Sequence, residues 1–340
     1  MILRIDRLPI ELPRPDAPNP NAASAVQELL GGKFGEMSTL MNYTYQSFNF
    51  RNRTGLRPFY DLLCNIAAEE HSHIEMVSAA INLLLTGSTQ QADRRYAKGA
   101  ELNAAPLQNA TDMRNHYHFI ASGQAALPMD SMGNPWTGAN VFSSGNLKLD
   151  LLHNFFLECG ARANKIRVYE MVSDPTARAA VGFLLVRGGV HIVAYAKALE
   201  KLTGVNVGAL LPIPDVSNQK FPEAKIHEDK GLHRVLFQFS PSDYDRAGEI
   251  WNGPHPEDGK PLEFTKDIPE GFPWPDLDEE PQLGSPGVDP DMIKFFAQKL
   301  GDDVRDEFLA RQRKEPPAPA PAPAAAKPAD KKPAPKKKRG

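Results

Sequence analysis

Four stretches of this chain repeat apolar residues every three or four positions for about 25 to 30 residues each, and each has an ionisable side chain on its apolar stripe. The first runs through NPNAASAVQELLGGKFGEMSTLMNYTYQSFNF. Asn21 or Ser24 is its expected cap, and Val26, Leu29, Leu30, Phe34, Met37, Leu40 and Met41 are its apolar positions. The second extends from about Leu56 to Leu85 and stops at Gly87, and the third from about Leu147 to Val172. The fourth follows Pro175 and closes at Gly204, where glycine ends a helix without strain. At 1.5 Å per residue each helix is roughly 40 Å long, which is the length of a bundle helix.

The connections narrow the topology. A short RNRTG turn makes the first two helices antiparallel neighbours, whereas about 60 residues rich in Ala, Asn and Gly separate the second from the third. So long a crossover is a feature of ferritin-like bundles. After Gly204 the chain becomes Pro-rich and weakly periodic, with Trp251 and Trp274, before a short amphipathic helix near Asp291 to Gln312. The expected architecture is all-α, with a ferritin-like four-helix bundle over 1–204. An irregular Pro-rich extension over 205–314 is expected to wrap the bundle or a neighbouring subunit. Residues 315–340 read as a disordered basic tail of Pro, Ala and Lys.

Composition excludes several classes. The opening MILRIDRLPIELPRP carries Arg4, Asp6, Arg7 and Glu11 and so lacks the apolar run of a signal peptide. Runs such as INLLL and VGFLLV are too short to cross a bilayer, so cytoplasmic residence is the expectation. Two cysteines, Cys64 and Cys159, cannot build a disulfide framework or a cysteine-rich metal knot. The net charge of −3 hides an uneven distribution, because the tail from Glu315 to Gly340 carries +5 and the rest −8. A basic tail has the composition of a nucleic-acid or anionic-surface contact, but a solubilising extension is the simpler reading.

The segment NIAAEEHSHIEMVSAAINLLL places Glu69, Glu70, His71, His73 and Glu75 inside an apolar helix. Residues three apart share a helical face, so Glu70 and His73 project together as a Glu-x-x-His pair. Glu69 and Glu75 can point elsewhere, and His71 lies far round from Glu69. Alone the pair is weak, since a solvated face explains most examples. Its partners make it stronger: Glu36 on the first helix, with Leu40 and Tyr43 beside it; Glu158 on the third, with Phe155 and Ala161; His191 on the fourth, with Leu184, Gly188 and Tyr195. A buried charge is costly unless paired or metal-bound, and one such group per helix suits three carboxylates and two imidazoles around two metal ions. A polar layer with Arg162, Lys165 or Arg187 as counter-ions is the alternative. His153, His116, His118, His227, His233 and His255 fit the second imidazole position less well than His191.

At these residues the sequence resembles the non-haem manganese catalases. The likeness runs through RIDRLPIELPRPDAPNPNAASAVQELLGGKFGEMSTLMNY, NIAAEEHSHIEMVSAAINLLLTG, HNFFLECGARANKIRVYEM and GFLLVRGGVHIVAYAKALEKLTG, to about residue 285. The resemblance implies that Glu36, Glu70, His73, Glu158 and His191 hold two manganese ions per subunit, with one carboxylate and a water or hydroxide bridging them. It implies disproportionation of hydrogen peroxide to water and oxygen, the metals cycling between paired Mn(II) and paired Mn(III). It also implies a homo-oligomer, commonly a hexamer, with Tyr43 and Lys165 beside the site.

Some members place an Arg–Glu pair over the metals, where this chain has Gly188 and Leu157; an open approach for substrate past Gly188 is therefore expected. Some also hold calcium, for which Asp61 is a candidate contributor. Two rivals share the fold: a ferritin- or rubrerythrin-like di-iron oxidase, and a structural coat-type assembly protein. The first usually has a second Glu-x-x-His, and here Ala161 stands three residues after Glu158.

Overall fold

A computed structural model describes residues 6–16, 19–85, 125–211, 215–277 and 290–313. The first expected helix is two: α1, Pro20–Gly31, and α2, Glu36–Phe48. The break falls in GGKFG. A Cβ on Gly31 would lie 2.2 Å from the carbonyl oxygen of Met129, so only glycine lets the crossover approach the helix there. The cap of α1 is Asn19, two residues ahead of the expected Asn21; its side chain accepts from the Ala22 amide, and Pro20 follows at the first helical position.

The other long helices are α3, Arg57–Leu85; α4, Leu147–Met171; and α5, Pro175–Thr203. Asn146 caps α4 through the amides of Lys148 and Leu149. Asp174 caps α5, and Gly204 ends it in the left-handed region at φ 72°.

Two apolar clusters fill the bundle, and the order in which each helix meets them gives its direction. One holds Val26 and Leu29 of α1, Met76 to Leu85 of α3, Val168 of α4 and Val181 to Val186 of α5. The other holds Tyr43 of α2, Phe59 to Ala67 of α3, Leu151 to Leu157 of α4 and Val190 to Leu199 of α5. Helices α3 and α4 thus run parallel, and α1–α2 and α5 run against them. A parallel α3–α4 pair needs a connection that returns along the bundle, which the crossover between Leu85 and Leu147 supplies. Its described part lies along α1 and α2: Gln27 donates to the carbonyls of Leu127 and Met129, and Gln46 to that of Phe142. Between the two clusters α3, α4 and α5 present charged residues to one another.

Within the first 286 residues, the extension after Gly204 packs on the bundle. Arg162 of α4 donates to the carbonyls of Asp215 and Ser217, and Asn65 of α3 donates to Phe237 and accepts from Phe239. A short helix α6, Pro222–Asp229, seats Ala224 in the core. An element absent from the sequence reading is a parallel pair of three-residue strands, β1 Val235–Phe237 and β2 Glu263–Thr265, with Trp251 donating to the carbonyls of Arg234, just before β1, and Glu263 of β2. By compactness the chain divides into units Met1–Pro286 and Gly287–Gly340. The second unit contains α7, Pro290–Arg313. The tail at 315–340 lies outside the described residues. Helix α5 is long and apolar enough to cross a membrane, against the expectation from short runs; 94% of its apolar window is buried among the other helices, as the core helix of a bundle is.

Candidate metal centre

The glycine-rich break sets up the site. With Gly35 as cap, Glu36 becomes the first residue of α2, where the helix N-terminus favours a carboxylate. One helical turn of α3 brings Glu70 and His73 opposite it; α4 adds Glu158 and α5 adds His191. All five are buried to within 1% of full enclosure. His73 Nδ1 lies 3.3 Å from Glu36 Oε2 and 3.2 Å from Glu70 Oε2. His191 Nδ1 lies 2.7 Å from Glu70 Oε1 and 3.4 Å from Glu158 Oε1. Glu70 therefore turns one oxygen to each imidazole. The five residues form two overlapping triads, Glu36, Glu70, His73 and Glu70, Glu158, His191, each with its donor atoms within 4.8 Å of one another.

Other side chains hold these carboxylates in place. The Tyr43 hydroxyl donates to Glu158 Oε1 at 2.5 Å, Thr39 Oγ1 donates to Glu70 Oε2 at 2.9 Å, and the Lys165 ammonium stands 3.0 Å from Glu36 Oε1. Tyr43 and Lys165 were expected near the site; Thr39 was not. Nor was Glu69, which is buried, takes the Arg187 guanidinium in a two-pronged pair, and lies 3.1 Å from His191 Nε2. The signal for Thr39 was spacing, one turn beyond Glu36; for Glu69 it was Arg187, one turn before His191, as a cation in need of a carboxylate.

Whether the site suits metal is a matter of charge and of bare atoms. Lys165 and Arg187 offset two of the four carboxylates Glu36, Glu69, Glu70 and Glu158. Two negative charges are left without a protein cation, in a place where unpaired charge costs several kcal/mol or about that. Six buried atoms, Glu36 Oε1 and Oε2, Glu70 Oε1, His73 Nε2, Glu158 Oε2 and His191 Nδ1, have no well-aligned hydrogen bond, although Lys165 stands beside Glu36 Oε1 and His191 Nδ1 beside Glu70 Oε1 as ion-pair neighbours. Burial works against charge throughout, yet the carboxylates prevail: Glu70 and Glu36 push His73 up to about 9, and Glu70 and Glu69 hold His191 well above its ordinary value. Burial raises Glu36, but Lys165 and His73 bring it down to about 2. Two protons on the imidazoles, or one divalent cation in their place, would neutralise the layer; a second divalent cation would make it positive and favour anionic oxygen ligands beside the carboxylates. Hard oxygens with two imidazoles are a donor set that suits manganese.

The remaining expected residues fall elsewhere. Gly188 faces the site, but a Cβ there would stand 3.2 Å from Lys165 Nζ, so the volume it leaves is bordered by an ammonium. Asp61 uses one oxygen for Arg57 at 2.5 Å and the other for the Arg246 amide at 3.2 Å; a guanidinium meets its charge where calcium was considered. It belongs to none of the possible metal-holding groups among the described residues. His153 stacks on Phe142, and His227 packs against Phe183. His116 and His118 lie outside the described residues. A third group, His233, His255 and Asp258, already contains Arg234, whose guanidinium is 2.7 Å from Asp258 and 2.9 Å from His233.

Residues 1–300 match the family described as manganese containing catalase. The chain belongs to the manganese catalase family. A manganese catalase of Bacillus subtilis is 31% identical over 268 residues, 79% of this chain and 92% of its own length. One from Lactiplantibacillus plantarum is 30% identical over 236 residues, 69% of this chain and 82% of its own. The crystal structure of KatB, a manganese catalase from Anabaena PCC7120, is similar at 28% identity with a TM-score of 0.48, covering 61% of this chain and 82% of that one. As a manganese catalase the chain is an enzyme with a manganese cofactor, and the buried carboxylate and imidazole layer is the place in the bundle whose donors fit that metal.

Proposed function

We propose that the protein converts two molecules of hydrogen peroxide into two of water and one of dioxygen at a pair of manganese ions. Glu36, Glu70 and His73 would hold one ion, and Glu70, Glu158 and His191 the other. The observation that carries this reading is the sharing of Glu70 between two triads lined by buried atoms without well-aligned hydrogen bonds. A manganese pair held there would supply reversible two-electron chemistry between paired Mn(II) and paired Mn(III).

The chain's own residues govern position and protons. Tyr43 occupies Glu158 Oε1 and leaves Oε2 bare, while Thr39 holds Glu70 Oε2. Burial and the Glu158 charge keep the Tyr43 hydroxyl protonated. Burial opposes the charge on Lys165, but Glu36 and Glu158 outweigh it and keep the ammonium protonated. Both are therefore hydrogen-bond donors at neutral pH. Held in their protonated forms, Lys165 and Tyr43 orient the carboxylate oxygens they touch and do not act as proton acceptors. Family resemblance supports a hexamer.

Metal analysis beside an oxygen-electrode assay tests the reading. Glu70→Ala and His73→Ala are expected to strip manganese and abolish oxygen release, with a lower melting temperature because metal stabilises only the folded state. Wild-type oxygen release from verified metal-free Glu70→Ala protein would refute the assignment. Iron at the site, with ferrous oxidation in place of oxygen release, would favour the di-iron oxidase.

A further inference from the structure

A continuous line of buried contacts connects the C-terminal extension to one of the two imidazoles. Arg187 is 1% exposed and uses its whole guanidinium: Nε and Nη2 donate to Glu69, while Nη1 donates to the carbonyls of Leu232, 2.7 Å, and Val235, 2.8 Å. Glu69 passes the contact on, with Oε2 3.1 Å from His191 Nε2. Its Oε1 lies 3.8 Å from His73 Nε2, too far for a hydrogen bond. The nitrogen of His191 that faces Glu70 and Glu158 is Nδ1, so the proton belongs on Nε2 and the ring donates to Glu69.

We propose that Glu69 is a positioning residue for His191, and that Arg187, tethered to the carbonyls of Leu232 and Val235, fixes Glu69 in turn. Residues 232–235 thereby set the angle at which the imidazole meets the metal. The inference rests on reading His191 as a manganese ligand. A carboxylate behind a ligand imidazole fixes its tautomer, stops the ring from turning and makes the metal-facing nitrogen a stronger donor. Arginine suits the next place in the line because its planar fork matches a carboxylate and it never loses its charge. An ion pair between helices is by itself no sign of this role, since such pairs also occur with nothing behind them. Here the acceptor oxygen is shared between a guanidinium and the imidazole, and the guanidinium's last nitrogen is committed to the extension.

The test separates positioning from packing with two variants of the full-length protein. Glu69→Gln keeps the shape and removes the charge. The double variant Glu69→Leu with Arg187→Met replaces the pair by apolar side chains of similar volume and avoids leaving either charge buried alone. Manganese affinity is read by competition with a metal-binding dye, and the geometry of the Mn(II) pair by its electron paramagnetic resonance spectrum. Both variants are expected to fold, to bind manganese about 10- to 100-fold more weakly, and to show an altered spectrum. Wild-type affinity and spectrum in both variants would overturn the inference and leave the metal reading standing. Wild-type protein that takes up no manganese would overturn both.

Discussion

Gly188 shows how one missing side chain can decide what reaches a buried centre. Because its absent Cβ would stand 3.2 Å from Lys165 Nζ and 3.9 Å from Glu158 Oε2, any longer residue there meets the ammonium first. Gly188→Glu is expected to pair with Lys165, draw it from Glu36, and lower kcat/KM by roughly tenfold while manganese content is kept. Sensitivity to azide should fall with it; unchanged kinetics and inhibition would place the peroxide route elsewhere. A second residue carries a pH dependence far from the metals. His255 is 4% exposed, and burial together with the charges of His233, Arg234 and Lys197, only partly opposed by Asp258, holds it down to about 4 against an ordinary 6.5. Below pH 6.5 the unfolded chain takes up a proton that the folded one refuses, so stability falls as pH drops towards 4. Between pH 7 and 5 this amounts to about 2 kcal/mol. Denaturant titrations of wild type and His255→Gln at both pH values should show the variant losing less by that amount.

At the scale of elements the close approach of α1 to the crossover is the most exacting contact. Gly31→Ala places a methyl group against the Met129 backbone, 2.2 Å from its oxygen, and is expected to destabilise the fold by about 1–3 kcal/mol. Thermal melts of the variant beside wild type measure it; an unchanged midpoint would show that the crossover yields freely. The same region marks where sequence reading fell short. Periodicity located all the long helices and each of the five clustered donors, because burying an ionisable group on an apolar stripe is conspicuous. It joined α1 to α2 because GGKFG keeps the apolar spacing through the break. Its apolar positions Met37, Leu40 and Met41 are half-buried, Met37 and Leu40 against the apolar clusters, while the fully buried positions of α2 are Glu36, Ser38, Thr39, Asn42, Tyr43, Gln46 and Ser47. That fully buried face is polar because it satisfies carboxylates and the crossover: Gln46 pairs with Asn154, and Asn42 with Asn140. The β1–β2 pair, three residues on each side, is too short to leave a periodic signal.

On the scale of the whole molecule, the chain belongs to its bundle as far as Pro286. Deleting residues 315–340, a Pro/Ala/Lys segment with little apolar area to bury, is expected to leave oxygen release and oligomeric state unchanged, which a light-scattering column and an oxygen electrode can check together. A changed oligomer would assign the tail to an interface. Removing the chain from residue 232 onward should act quite differently, because it takes away both carbonyls that hold Arg187. That contact also has a consequence for the order of synthesis. His191 leaves the ribosome about 40 residues before Leu232, an interval of roughly 2–8 s at ordinary elongation rates. During that time the nascent bundle has every donor for its ions, while the clasp behind them is still unmade. If the clasp stiffens His191 as proposed, metal bound in that interval is expected to exchange faster than metal bound once the clasp is made.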